Sequence, residues 1–175
     1  HELSGGQRQR IIIAMALSCD AEFLIADEPT RNLDVTIQAG ILKLISQLQK
    51  DLSVSVLFIA NNLGLVAATC DQVAILHKGK IVESGETKHI LKTPQHPYTK
   101  ALIHAIPKDK HDKIEITNCI PKVDLNMASN GCQVIELCPD RDEKCRQTAP
   151  MLSCVGGTHL VACHHITEPD NNPKT

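Results

Sequence analysis

An α/β fold with mostly parallel strands is what the sequence predicts, and three observations carry it. "AEFLIADEPT" (Ala21 to Thr30) is an uninterrupted apolar run that ends in two acids and a proline, the pattern of a strand buried on both faces of a parallel sheet. "SVSVLFIA" (Ser53 to Ala60) is β-branched and apolar, a second such strand. Between them Ile37, Ile41, Leu44, Ile45 and Leu48 repeat with a 3.6-residue period behind Asp34, a natural N-cap. Strands that alternate with helices in this way define the class.

The flanking elements follow the same logic. Residues Ser4 to Ser18 read as a helix, apolar on nearly all sides after Arg10 and so expected to be deeply packed. "LGLVAATC" suggests a short helix, and "QVAILHKGKIVESG" a hairpin that turns at Lys78-Gly79. Composition shifts after about Leu91. "KTPQHPYTKALIHAIPK" carries three prolines around one short helical segment, with Tyr98 expected to pack beneath a proline-bounded turn. From Lys108 the chain turns polar, cysteine-rich and weakly patterned, and "ITEPDNNPKT" reads as a solvated tail. The expected organisation is one α/β part over residues 1–91 and a small irregular cysteine-rich part over 92–175.

Composition excludes several classes. The chain is 42% hydrophobic but only 2% aromatic, so its core must be aliphatic. A net charge of −2 argues against a nucleic-acid-binding surface. No apolar run approaches the ~18 residues of a membrane span. Eight cysteines are unevenly placed. Cys19 and Cys70 read as small buried hydrophobes, whereas Cys132, Cys138, Cys145, Cys154 and Cys163 crowd into one stretch.

Chemistry concentrates at two places. Ser4-Gly5-Gly6-Gln7 stands directly before a helix, where free N–H groups and the helix dipole attract phosphate. No G-x-x-x-x-G-K-[ST] loop accompanies it. Asp27 and Glu28 close a strand, the position at which α/β folds place ligands. One carboxylate can hold Mg²⁺ while its neighbour orients or deprotonates an attacking water.

LSGGQ (Leu3 to Gln7), FLIADEPT (Phe23 to Thr30) and NLD (Asn32 to Asp34) resemble, in order and spacing, the signature motif, Walker B motif and D-loop of ABC-type ATPases. The resemblance implies a P-loop-type ATPase domain working with ATP and Mg²⁺. Asp27 would belong to the Mg²⁺ shell, Glu28 would be the catalytic base, and Asp34 would lie in the D-loop. It also implies that Ser4, Gly5, Gly6 and Gln7 cap the γ-phosphate of ATP held by a second ATPase subunit. The Walker A loop, Q-loop and adenine-stacking aromatic are expected upstream of His1. The family's switch histidine falls at Asn61, which cannot carry a proton or positive charge. Its neighbour Asn62 reads as a helix N-cap.

"TPQHPYTKALIHAIP" and "GCQVIELCPDRDEKCRQTAPML" resemble the ATP-binding subunits of oligopeptide and dipeptide importers. This implies a peripheral location on the cytoplasmic membrane face. The implied partners are two transmembrane permease subunits and, indirectly, an extracellular solute-binding protein, with no nucleic acid. The spacing C-x5-C-x6-C-x17-C through Cys132, Cys138, Cys145 and Cys163 suggests a metal or cluster staple. Disulfides compete with that reading, although a cytosolic compartment is reducing. The resemblance favours a 4Fe–4S cluster on these four, with Zn²⁺ as the alternative. Cys154 departs from the pattern; His159, His164 and His165 are other candidate zinc ligands or simply solvated histidines. Two further readings are a DNA-repair or chromosome-organising ATPase, and a degenerate fragment that retains only a metal-binding module.

Overall fold

The computed structural model describes residues 2–106 and 130–166. The linker from Lys110 and most of the tail therefore lie outside the described residues. The chain divides into two compact units, His1–Cys70 and Asp71–Thr175.

In the first unit, helix α1 (Gly5–Leu17) follows the N-cap Ser4, strand β1 spans Phe23–Asp27, and helix α2 (Val35–Leu52) starts from its N-cap Asp34. Strand β2 (Ser55–Ile59) pairs with β1 in parallel register, Phe23 opposite Ser55 through Asp27 opposite Ile59. Helix α3 (Leu63–Thr69) closes the unit behind its N-cap Asn62, whose Oδ1 accepts from Gly64 N. The core is Ile13 of α1 with Ile41 and Ile45 of α2, extended by Leu17, Leu33, Leu44, Leu48 and Val56. It is aliphatic throughout, as the composition requires.

Three expectations about burial fail here. Neither strand is covered on both faces: Phe23, Ile25, Leu57 and Ile59 are exposed at 55%, 61%, 46% and 44%. A two-stranded parallel sheet alternates its side chains between faces, and the core cluster lies against only one of them. Helix α1 is likewise not enclosed, since Ile12 and Met15 stand 54% and 68% exposed. Cys19 is exposed rather than a buried hydrophobe. An apolar run reports that a face is to be covered and does not say by which residues.

In the second unit, β3 (Gln72–His77) and β4 (Lys80–Glu86) form the expected hairpin, with Lys78 and Gly79 both at positive φ in the turn. Helix α4 (Thr87–Lys92) follows, then α5 (Pro97–His104), then α6 (Glu143–Gln147). Strands β5 (Ser153–Gly156) and β6 (His159–Val161) complete a four-stranded sheet in the order β3-β4-β6-β5. All of its pairings are antiparallel. The fold is therefore mixed α/β, and its strands are not mostly parallel. The cysteine-rich region is also not a separate irregular extension, because β6 pairs with β4 through Glu83–Val161 and Ser84–Leu160. Such pairing joins residues far apart in sequence, where short-range periodicity carries no information.

The packing explains two local choices. Gly85 lets β6 approach: a Cβ there would stand 3.2 Å from His159 Cα. The HPYT segment forms the start of α5 rather than a free turn. His96 is the N-cap, its Nδ1 accepting from Tyr98 N at 3.1 Å, and Pro97 opens the helix, where a missing N–H costs nothing. Tyr98 packs against the core of Ile75, Val82, Ile90 and Val134.

Candidate functional site

The first site lies at the C-terminal ends of β1 and β2. Parallel register brings these ends to one edge, and Glu28 N donates to Ile59 O at 2.9 Å, carrying the pairing one residue past Asp27. Asp27, Glu28 and Asn61 thus leave the same edge of the same sheet. Asp27 is exposed at the strand end, with no ion pair among the described residues. Glu28 adopts φ 42°, a left-handed conformation unusual for a non-glycine residue, and Arg31 Nη1 stands 3.1 Å from its Oε2. Asn61 is exposed one residue ahead of the N-cap of α3.

The Ser4–Gln7 turn is built as a capping box. Ser4 N donates to Gln7 Oε1 at 2.9 Å, and Gln7 N donates to Ser4 Oγ at 3.3 Å. That satisfies the third donor of the helix and leaves the N–H groups of Gly5 and Gly6 for other acceptors. The two glycines also have packing reasons. A Cβ on Gly6 would lie 2.6 Å from Ile37 Cγ2, and one on Gly5 would lie 3.0 Å from Leu33 Cδ2. The turn therefore packs directly against the Asn32–Asp34 segment and the first turn of α2. Asp34 itself is occupied as N-cap, its Oδ1 accepting from Ile37 N at 2.9 Å.

The second site is a cavity in the second unit. Cys132, Cys138, Cys145 and Cys163 all line it, beside His96, Val134, Ile135 and His165. Cys154 does not, and lies exposed on β5. Burial pushes the Cys138, Cys145 and Cys163 thiols above their ordinary range, and the neighbouring thiols and acids push the same way. The loop at Cys132 is tied to α6 by Cys132 N donating to Cys145 O at 2.8 Å. Gly131 makes that approach possible, since a Cβ there would meet Arg146 O at 2.5 Å.

At the cavity's edge, Asp142, Cys145 and His165 bring one ligand atom each to within 4.8 Å of one another, the only such set among the described residues. Asp142 caps α6, its Oδ1 accepting from Cys145 N at 2.8 Å. This hydrogen bond, then one from the thiol, then the charges of His165 and His164, hold the Asp142 carboxyl below its usual range. Sequence reasoning did not find Asp142 or Gly131. The signal for Asp142 was present, as an aspartate three residues before Cys145 in a helix-starting position. His159, a candidate zinc ligand or solvated residue from sequence, is neither. It is 4% exposed and its Nε2 lies 2.7 Å from Glu83 Oε1. His164 Nε2 meets Thr148 O at 2.9 Å.

Two parts of the chain match known protein families. Residues 1–31 match the family described as ABC transporter, and residues 82–145 match the family described as Oligopeptide/dipeptide transporter, C-terminal region. The chain's curated relatives are named as ATP-binding proteins of peptide and dipeptide ABC transporters. It is 43% identical over 175 residues to the "Probable peptide ABC transporter ATP-binding protein y4tR" of Sinorhizobium fredii, covering 98% of this chain and 52% of that one. It is 44% identical to the dipeptide transport ATP-binding protein DppD of Bacillus subtilis, covering 93% of this chain and 49% of that one. The Escherichia coli DppD is 37% identical, with 99% and 53% covered. The chain spans about half the length of the curated relatives it matches. Among the described residues no helix is long and apolar enough to cross a membrane.

Proposed function

We propose that this chain is the C-terminal portion of the ATP-hydrolysing subunit of an ABC importer of dipeptides or oligopeptides. The observation that carries the reading is the shared strand edge from which Asp27, Glu28 and Asn61 emerge, in a unit that also holds the Ser4–Gln7 turn at the head of α1. Bound MgATP supplies the phosphoryl group and its metal. The residues fit it: Asp27 offers a free carboxylate to Mg²⁺, and Glu28 is placed to take a proton from water once it leaves Arg31. Gly5 and Gly6 N–H groups, with Ser4 and Gln7, face ATP held on a second subunit, and Asp34 shapes the D-loop between them. Residues 1–91 carry the ATPase motifs and 92–175 the peptide-importer-type sequence. Two permease subunits anchor the pair on the cytoplasmic membrane face, and a solute-binding protein delivers the peptide. The peptide-transport names of the relatives leave no support for a DNA-acting ATPase.

The four cysteines at one cavity support a 4Fe–4S cluster as a structural staple. Soft thiolate donors suit it. No three of the four sulfurs lie within 4.8 Å of one another among the described residues, so the set is wide for one zinc ion.

The test is ATP turnover by the full-length subunit assembled with its permease partners. Glu28→Gln should abolish turnover. Asn61→His should raise it toward the low end of the ~10²–10³ that one transition-state contact supplies. Turnover unchanged by Glu28→Gln would refute the assignment. Binding of MgATP at micromolar affinity by the 175-residue chain alone would refute the split site, since this stretch holds no phosphate-binding lysine loop.

A further inference from the structure

We propose that Asp142, Cys145 and His165 form a site for a single zinc-type divalent cation, separate from the four-cysteine set and sharing only Cys145 with it. The geometry is specific. Cys145 Sγ lies 3.7 Å from His165 Nε2, and His165 Nε2 lies 3.3 Å from Asp142 Oδ2. A tetrahedral zinc with ordinary sulfur, nitrogen and oxygen bond lengths holds such atoms about 3.6 Å and about 3.4 Å apart. Two of the three donor–donor distances therefore match those one ion would impose, and the third lies within 4.8 Å. Sulfur, imidazole and carboxylate together favour zinc over the oxygen-seeking Mg²⁺ and Ca²⁺.

The supporting contacts are also those of a metal site. Asp142 is oriented by its cap bond from Cys145 N to Oδ1, which turns Oδ2 toward His165. His165 N donates to Cys163 Sγ at 3.4 Å, fixing the ring's backbone against the cavity. Asp142 and His165 side chains are 45% and 40% exposed, so an ion can enter from solvent and a water can fill the fourth position. Cys145, by contrast, is buried. A thiolate bound to a cluster iron is a poorer donor to a second cation. Zinc here and a cluster on Cys132, Cys138, Cys145 and Cys163 therefore compete for Cys145, and zinc favours the form that lacks a cluster. This competition rests on the cluster reading; the zinc site does not.

The experiment is anaerobic titration of the metal-free 175-residue chain with Co²⁺, then displacement by Zn²⁺, followed by visible absorption. One ion per chain with a single-thiolate charge-transfer band is expected. His165→Ala and Asp142→Asn, which keeps the cap oxygen, should each weaken binding by at least the about 10- to 100-fold that supporting residues command. Cys132→Ser, Cys138→Ser and Cys163→Ser should leave it unchanged. Iron and sulfide reconstitution separates the two readings: the three Cys→Ser variants should lose the cluster, while His165→Ala and Asp142→Asn retain it. If no variant or parent takes up a cluster but Co²⁺ behaves as stated, the cluster reading fails and this site stands. Co²⁺ binding lost in Cys132→Ser or Cys138→Ser, insensitive to His165→Ala, or absent altogether would overturn the proposal.

Discussion

Glu83 and His159 stand 76 positions apart in sequence and meet at 2.7 Å, both almost wholly out of solvent at 0% and 4% exposure. Glu83 has three partners. Its Oε1 also accepts from Gln95 N at 2.8 Å, and its Oε2 accepts from His96 N at 3.1 Å. One carboxylate on β4 thereby holds the α4–α5 connection and the C-terminal strand β6. A buried charge persists only when its lone pairs are met in this way. The HPYT segment and the cysteine region are joined through it.

Glu83→Ala should therefore destabilise the second unit strongly. It strands two backbone donors and one buried imidazole, and breaking a buried pair from one side costs about 3–5 kcal/mol. Glu83→Gln keeps one acceptor oxygen and should cost less. Hydrogen exchange of the β4 and β6 amides is the measurement. Protection in Glu83→Ala equal to the parent's would show that Glu83 is not the staple.

Acid should loosen the same region through His96. Burial, reinforced by His77 and Lys100 and opposed by Glu83, lowers its pKa below the ordinary 6.5. The unfolded chain then binds more protons than the folded one between the two pKa values, so stability rises with pH there. The contribution is whole above about pH 6.5 and is lost as pH falls through the folded value. His77 is shifted the same way, mainly by burial. Denaturation midpoints compared between neutral and mildly acidic buffer should fall on acidification. His96→Asn, which can still accept at the helix cap, should flatten that slope. An unchanged slope would remove His96 from the account.

The glycine pair at the head of α1 should separate into two roles. Gly6→Ala puts a Cβ 2.6 Å from the branched Ile37 side chain, whereas Gly5→Ala puts one 3.0 Å from the tip of Leu33. A leucine tip can swing aside; a β-branched carbon next to the helix backbone cannot. Overpacking of this kind costs about 1–3 kcal/mol, so Gly6→Ala should lower the thermal midpoint and Gly5→Ala should change it little. Equal midpoints in the two variants would contradict the steric distinction.

Local signals were read correctly from sequence because they act over a few residues. Asp34 and Asn62 both serve as the N-caps their positions suggest, and Lys78-Gly79 turns the hairpin. Cys132, Cys138, Cys145 and Cys163 line one cavity and Cys154 does not. What could not be read depends on partners distant in the chain. The apolar runs of β1 and β2 gave no means of telling one covered face from two. His159 looked like any histidine near cysteines until Glu83 was placed against it. Asp142 became a candidate ligand only when residue 165 arrived beside it.

Thiol reactivity tests the cavity without any metal. Cys138, Cys145 and Cys163 all have pKa values raised first by burial, so their thiolate fraction at neutral pH is small. Each unit of upward shift lowers that fraction about tenfold, and alkylation proceeds through the thiolate. Cys19 and Cys154 are exposed. In the metal-free, reduced chain, brief treatment with iodoacetamide and peptide mapping by mass spectrometry should find Cys19 and Cys154 modified first. Cys145, 5% exposed, should be among the last. Raising the pH should narrow the gap, because it restores thiolate at the shifted sites but cannot open the cavity. Equal labelling of Cys145 and Cys154 at neutral pH would mean that the cavity does not close around its sulfurs. A gap unaffected by pH would mean that access alone, and not the raised pKa, protects them.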